Sequence, residues 1–275
     1  MTDTEVKING RPAGEIHQGA FYRFRYDITD KLKFGEVNLL EATVSKMSAD
    51  ASVNRAERYA DYWVFGGIFR PVWLEAVPEE HIERIAIDAR ADGTFEADLF
   101  LQGIKGVCQA EAVILDQNRQ PVATLTTHLE KSDTLVTLRG KMENPLTWSA
   151  ETPHLYTVKV TLQRGKKNLY SLQEKFGFRT IEIRQGDGIY LNGVKIKMKG
   201  INRHAFWPET GRCLNDRINL EDVLLMKSMN MNAVRCAHYP PDPSFLHYCD
   251  SLGLYVLDEL AGWQNAYATP VGRSW

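Results

Sequence analysis

Before Gly186 the apolar residues of this chain recur at every second position; after it, short apolar runs alternate with stretches of helical spacing. Period two builds strands with one buried face. Strand, helix, strand, helix, strand in sequence builds parallel strands joined by right-handed crossovers. One layer architecture does not serve both patterns, so the chain is expected to be multidomain. Its 275 residues leave room for two or three domains.

The downstream part, residues 185–275, opens with a hairpin over Ile189 to Ile196 turned at Asn192-Gly193, after Gly186-Asp187-Gly188. A strand is expected to end near Ile201. In "NLEDVLLMKSMNM", Leu220, Val223, Leu224 and Lys227 fall at helical spacing, with Asn219 as the expected N-cap. "MNAVRC" is the next strand. Asp242, Pro243 and Gly253 then mark the cap, first turn and stop of a second helix, with Phe245, Leu246, Cys249 and Leu252 as its buried stripe. "LYVLDEL" is the third strand.

Each of these strands finishes in polar or ionisable residues: Asn202-Arg203-His204, Arg235 with His238, and Asp258-Glu259. Reactive groups gather at the carboxyl ends of parallel strands, so three such endings together point to a ligand site. One such His alone would more ordinarily be structural. The prolines after Tyr239 stop the strand and aim its loop outward.

Upstream, residues 79–184 are expected to form an immunoglobulin-like sandwich. Ile85 and Ile87, Phe95 to Leu101, and Tyr156 to Leu162 alternate between turn signals such as Asp92-Gly93 and Arg164-Gly165. Residues 1–78 also read as strands, including "DYWVFGGIFRPVWLEAVPEE" broken at Gly66-Gly67, but they are few for a closed sandwich.

A net charge of −2 offers no basic footprint for nucleic acid, and no apolar run reaches the about 18 residues of a membrane span. Cys108, Cys213, Cys236 and Cys249 lack zinc-site spacing and read as buried thiols. The start, MTDTEVKING, has no cationic-then-apolar signal region, which leaves a bacterial-type cytoplasm or periplasm open.

Four stretches, "FGGIFRPVWLE", "NPLTWSAETPHLYTVKV", "KGINRHAFWPETGR" and "LLMKSMNMNAVRCAHYPPDPSFLHYCDSLGLYVLDE", resemble glycoside hydrolase family 2, the group of β-galactosidases, β-glucuronidases and β-mannosidases. The resemblance implies the C-terminal part of a jelly-roll sugar-binding domain (1–78), an immunoglobulin-like β-sandwich (79–184) and the beginning of a (β/α)8 catalytic barrel (185–275). It implies that His204 and His238 approach the sugar and that Arg235 orients neighbouring carboxylates. Asp61 would reach from the jelly roll toward the sugar, unless it is a solvated strand-end acid. Asn202 and Arg203 support the mouth or touch sugar, and Asp258 and Glu259 are supporting residues.

The sequence also departs from the family. Retaining glycosidases use two carboxylates about 5 Å apart, and the family's acid/base follows an Asn, but no Asn-Glu pair occurs here. A full barrel needs about 250 residues. The resemblance therefore implies an internal piece without either catalytic glutamate, lacking roughly the first half of its jelly roll. After the third strand, Leu260-Ala261-Gly262-Trp263-Gln264-Asn265 has neither the Glu nor the His that holds magnesium in β-galactosidases of the group. That speaks against magnesium and against strict β-galactosidase identity, and no cofactor is assigned. Trp263 either stacks on a sugar face or packs its loop.

The leading expectation is part of a retaining, exo-acting β-glycosidase with a carbohydrate substrate and neither nucleic acid nor membrane as partner. The alternative is a non-catalytic carbohydrate-binding or structural module with a vestigial barrel; a protein-interaction scaffold ranks below both. Two sandwich units, three parallel strands whose ends share one edge, and Asp61 facing His204 or His238 are expected. So is a homo-oligomer formed through unpaired strand edges at 197–201 and 254–258.

Overall fold

The computed structural model describes residues 2–262. In the first region, β1 (Asp3–Ile8) pairs antiparallel with β2 (Arg11–Pro12), β3 (His17–Gln18) and β4 (Leu40–Ser45) in one four-stranded sheet. The Asn9-Gly10 turn is as expected, both residues having positive φ, at 52° and 77°. The rest of the region differs from expectation. Residues 61–78 form no strand, and α1 (Ala51–Arg58) is a helix that the strand reading missed. The Asp50 carboxylate caps it, accepting from Ser52 N (2.7 Å) and Val53 N (3.0 Å). Val53, Ala56 and Glu57 form its buried face. So the region is one sheet with a helix, not a sandwich of alternating strands.

The second region follows the alternation closely. β5 (His81–Ala89), β6 (Thr94–Gln102) and β9 (Leu135–Lys141) make one sheet; β7 (Cys108–Leu115), β8 (Pro121–Leu129), β10 (Tyr156–Arg164) and β11 (Lys167–Phe176) make the other. The inward residues Phe95, Ala97, Leu99 and Leu101 interdigitate with Val158, Val160 and Leu162 in one core. At its end Arg164 pairs with Glu80 through both terminal guanidinium nitrogens, Nη1 and Nη2, which pulls that carboxyl down to about 2.

Beyond the sandwich, β12 (Ile181–Arg184), β13 (Gly188–Leu191) and β14 (Val194–Lys195) form a small antiparallel sheet. The expected parallel unit follows: β15 (Gly200–Arg203), α2 (Asp216–Ser228), β16 (Ala233–Cys236), α3 (Pro243–Leu252) and β17 (Tyr255–Leu257). The strands lie in the order β15-β16-β17, with Asn202 opposite Arg235 and Arg235 opposite Leu257. β15 and β17 are the outer strands, so both keep an edge unpaired among the described residues.

Three details of this unit correct the sequence reading. The N-cap of α2 is Asn215, whose side chain accepts from Ile218 N (3.0 Å); Asn219 lies inside the helix and is buried. Leu224, placed in the stripe by its spacing, is exposed, while Ile218, Val223 and Met226 are buried. Cys213 is exposed, unlike the three other thiols. Its loop stands outside the helix–sheet layer that buries Cys236 and Cys249, whose thiol pKa values burial raises, that of Cys236 to about 12.

The sandwich locks onto the parallel unit. Trp148 and Ala150 share a core with Leu191, Ala233 and Tyr255, and Trp148 Nε1 donates to Asp250 O (2.7 Å). Gly253 ends α3 at φ 80°, and a Cβ there would lie 2.2 Å from Ala150 O. Only glycine satisfies both the turn and the contact.

Candidate functional site

The carboxyl ends of the three parallel strands do meet. On a strand, successive side chains point to opposite faces, so Asn202 and Arg203 part company. Asn202 turns to the mouth, where its Oδ1 accepts from Arg235 Nη1 (3.2 Å). Arg203 turns to the helices. Its Nε donates to Asp222 Oδ2 (2.7 Å), its Nη2 to Asn219 Oδ1 (2.8 Å), and its guanidinium lies over the Phe245 ring. Arg203 is 7% exposed and pins the strand to the helices.

Arg235 is the hub of the mouth. Its Nε donates to Glu259 Oε1 (2.8 Å) and its Nη2 approaches the same oxygen at 2.6 Å. The second carboxylate oxygen, Oε2, lies 3.1 Å from His238 Nδ1. Glu259 can only accept when ionised, so a proton on His238 Nδ1 satisfies it and fixes the ring. Arg235 Nη2 also lies 3.1 Å from that nitrogen, but two donors cannot bond each other. Asn202, Arg235, His238 and Glu259 thus form one network drawn from three strands. Asp258, beside it, is exposed and accepts from Glu259 N through Oδ1 (2.9 Å).

His204 packs edge-on against His238, ring centres 5.1 Å apart and planes at 77°. Burial, then the charges of His238, Arg212 and Arg235, depress its pKa, so the ring is neutral at pH 7. Its Nδ1 is buried and has no hydrogen-bond partner among the described residues. An orphaned acceptor is tolerated more often than an orphaned N–H, which places the proton on Nε2.

The first region closes the mouth from the other side. Phe21, Tyr62 and Phe69 share a core with Ala205, Tyr239 and Ala261. Arg70 Nη2 donates to Pro240 O (2.7 Å), and its Nη1 lies 3.3 Å from Asp242 Oδ2, which clamps the loop after β16. The segment carrying Asp61 therefore does reach the mouth: Tyr62 packs on Tyr239 and Trp63 on His204, with ring centres 5.3 and 6.3 Å apart. Asp61 itself is exposed. Trp263 lies outside the described residues.

Sequence reading missed Arg70, Trp63 and Arg212. Arg70 and Trp63 sit in a stretch expected to be a strand; their partners are 140 to 170 positions away, beyond the reach of any local pattern. Among the described residues, no group of three His, Cys, Asp or Glu side chains could hold a metal ion. Nor is any helix among the described residues long and apolar enough to cross a membrane.

Two family models match, "Glycosyl hydrolases family 2" over residues 80–179 and "Glycosyl hydrolases family 2, TIM barrel domain" over residues 181–274. A β-galactosidase of Thermoanaerobacter pseudethanolicus is 33% identical over 96% of this chain and 36% of its own length. A β-galactosidase of Priestia megaterium is 36% identical over 92% of this chain and 25% of its own. The crystal structure of a Bacteroides uniformis β-glucuronidase superposes with a TM-score of 0.85 at 28% identity, over 98% of this chain and 34% of that one. The chain spans about a third or less of the length of these relatives.

Proposed function

The chain belongs to glycoside hydrolase family 2, and on that premise we propose that it forms the sugar-binding side of the active-site mouth of a retaining, exo-acting β-glycosidase. The observation that carries this reading is the network of Asn202, Arg235, His238 and Glu259 at the ends of three adjacent parallel strands. The names of the relatives, β-galactosidase and β-glucuronidase, support a terminal β-linked sugar as substrate.

In this reading residues 1–78 are the C-terminal part of a jelly roll, 79–184 the immunoglobulin-like sandwich and 185–275 the beginning of the barrel. Neutral His204 offers its Nε2–H to a sugar hydroxyl, a directional bond without the desolvation cost of a full charge. His238, oriented by Glu259, and Asp61 contribute further polar contacts. Arg235 neutralises Glu259 and holds it in place, which makes Glu259 a positioning residue. With no Asn-Glu pair in the 275 residues, the family's acid/base has no counterpart within this chain. The chain binds and orients; it does not cleave. The edges of β15 and β17, unpaired among the described residues, also favour self-association, which size-exclusion chromatography over a concentration series would reveal.

The test is a panel of p-nitrophenyl β-glycosides (galactoside, glucuronide, mannoside, arabinoside) offered to the 275-residue chain and to Glu259→Gln, with sugar binding followed by calorimetry. Binding without turnover, weakened about tenfold or more by His238→Ala, is expected. Turnover that disappears in Glu259→Gln would show that Glu259 is catalytic and overturn the assignment. Absence of any saturable sugar binding would overturn the site.

A further inference from the structure

Trp63 is an exposed indole beside His204 at the mouth. It is 59% exposed, as Trp73 is at 53%, whereas Trp148 is almost completely buried. Isolated surface aromatics are ordinary, but this one is backed on one face by an aromatic stack. Phe206 stacks on one face of the indole, centres 4.8 Å apart and planes within 20°, and Phe65 stacks in turn on Phe206 (5.9 Å, 22°). The Trp63 carbonyl accepts from Arg212 Nη2 (3.1 Å). Arg212 is itself immobilised: buried, with its guanidinium within 5.7 Å of four aromatic ring centres, including Tyr62 and Tyr239. The indole therefore has one covered face, one open face and little freedom to move.

Its neighbour completes the surface. His204 lies 6.3 Å from the indole centre with its plane at 78° to it, and carries the buried Nδ1 that has no partner among the described residues. An apolar plane and a neutral N–H donor stand side by side. A pyranose needs that combination, because one face of its ring presents C–H groups while hydroxyls radiate from its rim. Binding pockets commonly join a rigid aromatic surface to a few convergent polar groups in this way. A ring that is already ordered also loses little entropy when it is covered.

We propose that Trp63 is the stacking platform of the mouth, taking the C–H face of a β-pyranoside while His204 bonds a hydroxyl at its rim. The role that sequence reading offered to Trp263 thereby has a second candidate, supplied by the first region instead of by the barrel. The inference rests on the reading of the mouth as a sugar site, and its test separates the two.

The full chain is labelled with 15N-tryptophan, and the indole N–H signals are followed during titration with the methyl β-glycosides of galactose, glucuronic acid, mannose and arabinose. The His204 and His238 ring C–H signals are followed in parallel. The Trp148 indole, in the junction between sandwich and barrel strands, reports whether each variant is folded. The Trp63 signal is expected to shift saturably with at least one glycoside, and Trp63→Ala to weaken its affinity about tenfold. Trp63→Phe, which keeps an aromatic plane, is expected to stay within about threefold. Saturable histidine shifts with a silent Trp63 signal, or with unchanged affinity in Trp63→Ala and Trp63→Phe, would overturn the platform and leave the sugar site standing. No saturable shift at the histidines or at Trp63 would overturn both.

Discussion

Strand β10 of the sandwich and strand β16 of the parallel sheet are both buried, but what buries them differs. Val158, Val160 and Leu162 on β10 are covered by residues between Ile82 and Phe178, a continuous piece of chain with its own core. On β16, Val234 and Cys236 are covered by α2 and α3, Ala233 by Trp148 and Ala150 of the sandwich, and the loop that follows by Arg70 and Tyr62 of the first region. A self-contained core is stable for reasons local to it. A shared core makes the mouth depend on three regions at once, and it is at this shared place that the polar network sits.

That contrast can be broken most directly in the sandwich. Phe178 is fully buried, and Phe178→Ala is expected to cost about 4 kcal/mol in urea unfolding. If the sandwich core is self-contained, hydrogen exchange in β6 and β10 should rise far more than in β16. Equal loss of protection in both would mean that the regions unfold as one unit.

Arg203→Ala should show the reverse. Removing the guanidinium strands Asp222 and Asn219 between sheet and helix, at a cost of about 3 kcal/mol. Exchange should accelerate in α2 and β15 and leave the sandwich strands unchanged. A change confined to the mouth, with no loss of stability, would contradict its role as a pin. Asn215→Ala sharpens the same comparison on a smaller scale, since loss of the α2 cap should cost about 1 kcal/mol and register in α2 alone.

The smallest expected effect is the share of the pH dependence that His204 contributes, beside that of His17, whose pKa burial also depresses. The folded His204 ring resists protonation, so below its ordinary value of 6.5 the unfolded chain binds more protons than the folded one. Its contribution to stability is therefore complete above pH 6.5 and is lost as pH falls through the depressed folded value. His204→Asn should flatten that limb of a stability–pH curve measured by urea unfolding, while leaving the curve above pH 6.5 parallel to that of the parent. An unchanged acid limb would mean that His204 is not held neutral by the fold.

Features encoded by neighbours in the chain were legible before any coordinates. Alternation over 79–184 placed the sandwich strands and their inward residues, because a period of two needs only a buried face to be realised. The Asn-Gly turns and the Asp242, Pro243, Gly253 punctuation were equally local. The strand endings that carry Asn202, Arg235, His238 and Glu259 followed from counting strands. Misreadings arose where a short segment carries a weak pattern: the eight polar-rich residues of α1, the cap of α2 placed four residues late, and the stretch 61–78, whose apolar residues read as a strand but serve the junction.

What the sequence by itself determined is thus the order of strand and helix, and the ends of parallel strands as the place to look. Only the tertiary structure decided that Arg203 leaves the mouth while Asn202 enters it, that Glu259 is shared between Arg235 and His238, and that Arg70 and Trp63 arrive from a region that seemed remote. Periodicity and caps are written in interactions a few residues long, whereas which side chain meets which across about 20 to 170 positions depends on how three layers pack. That packing is the sum of many weak contacts, and no short stretch of sequence contains it.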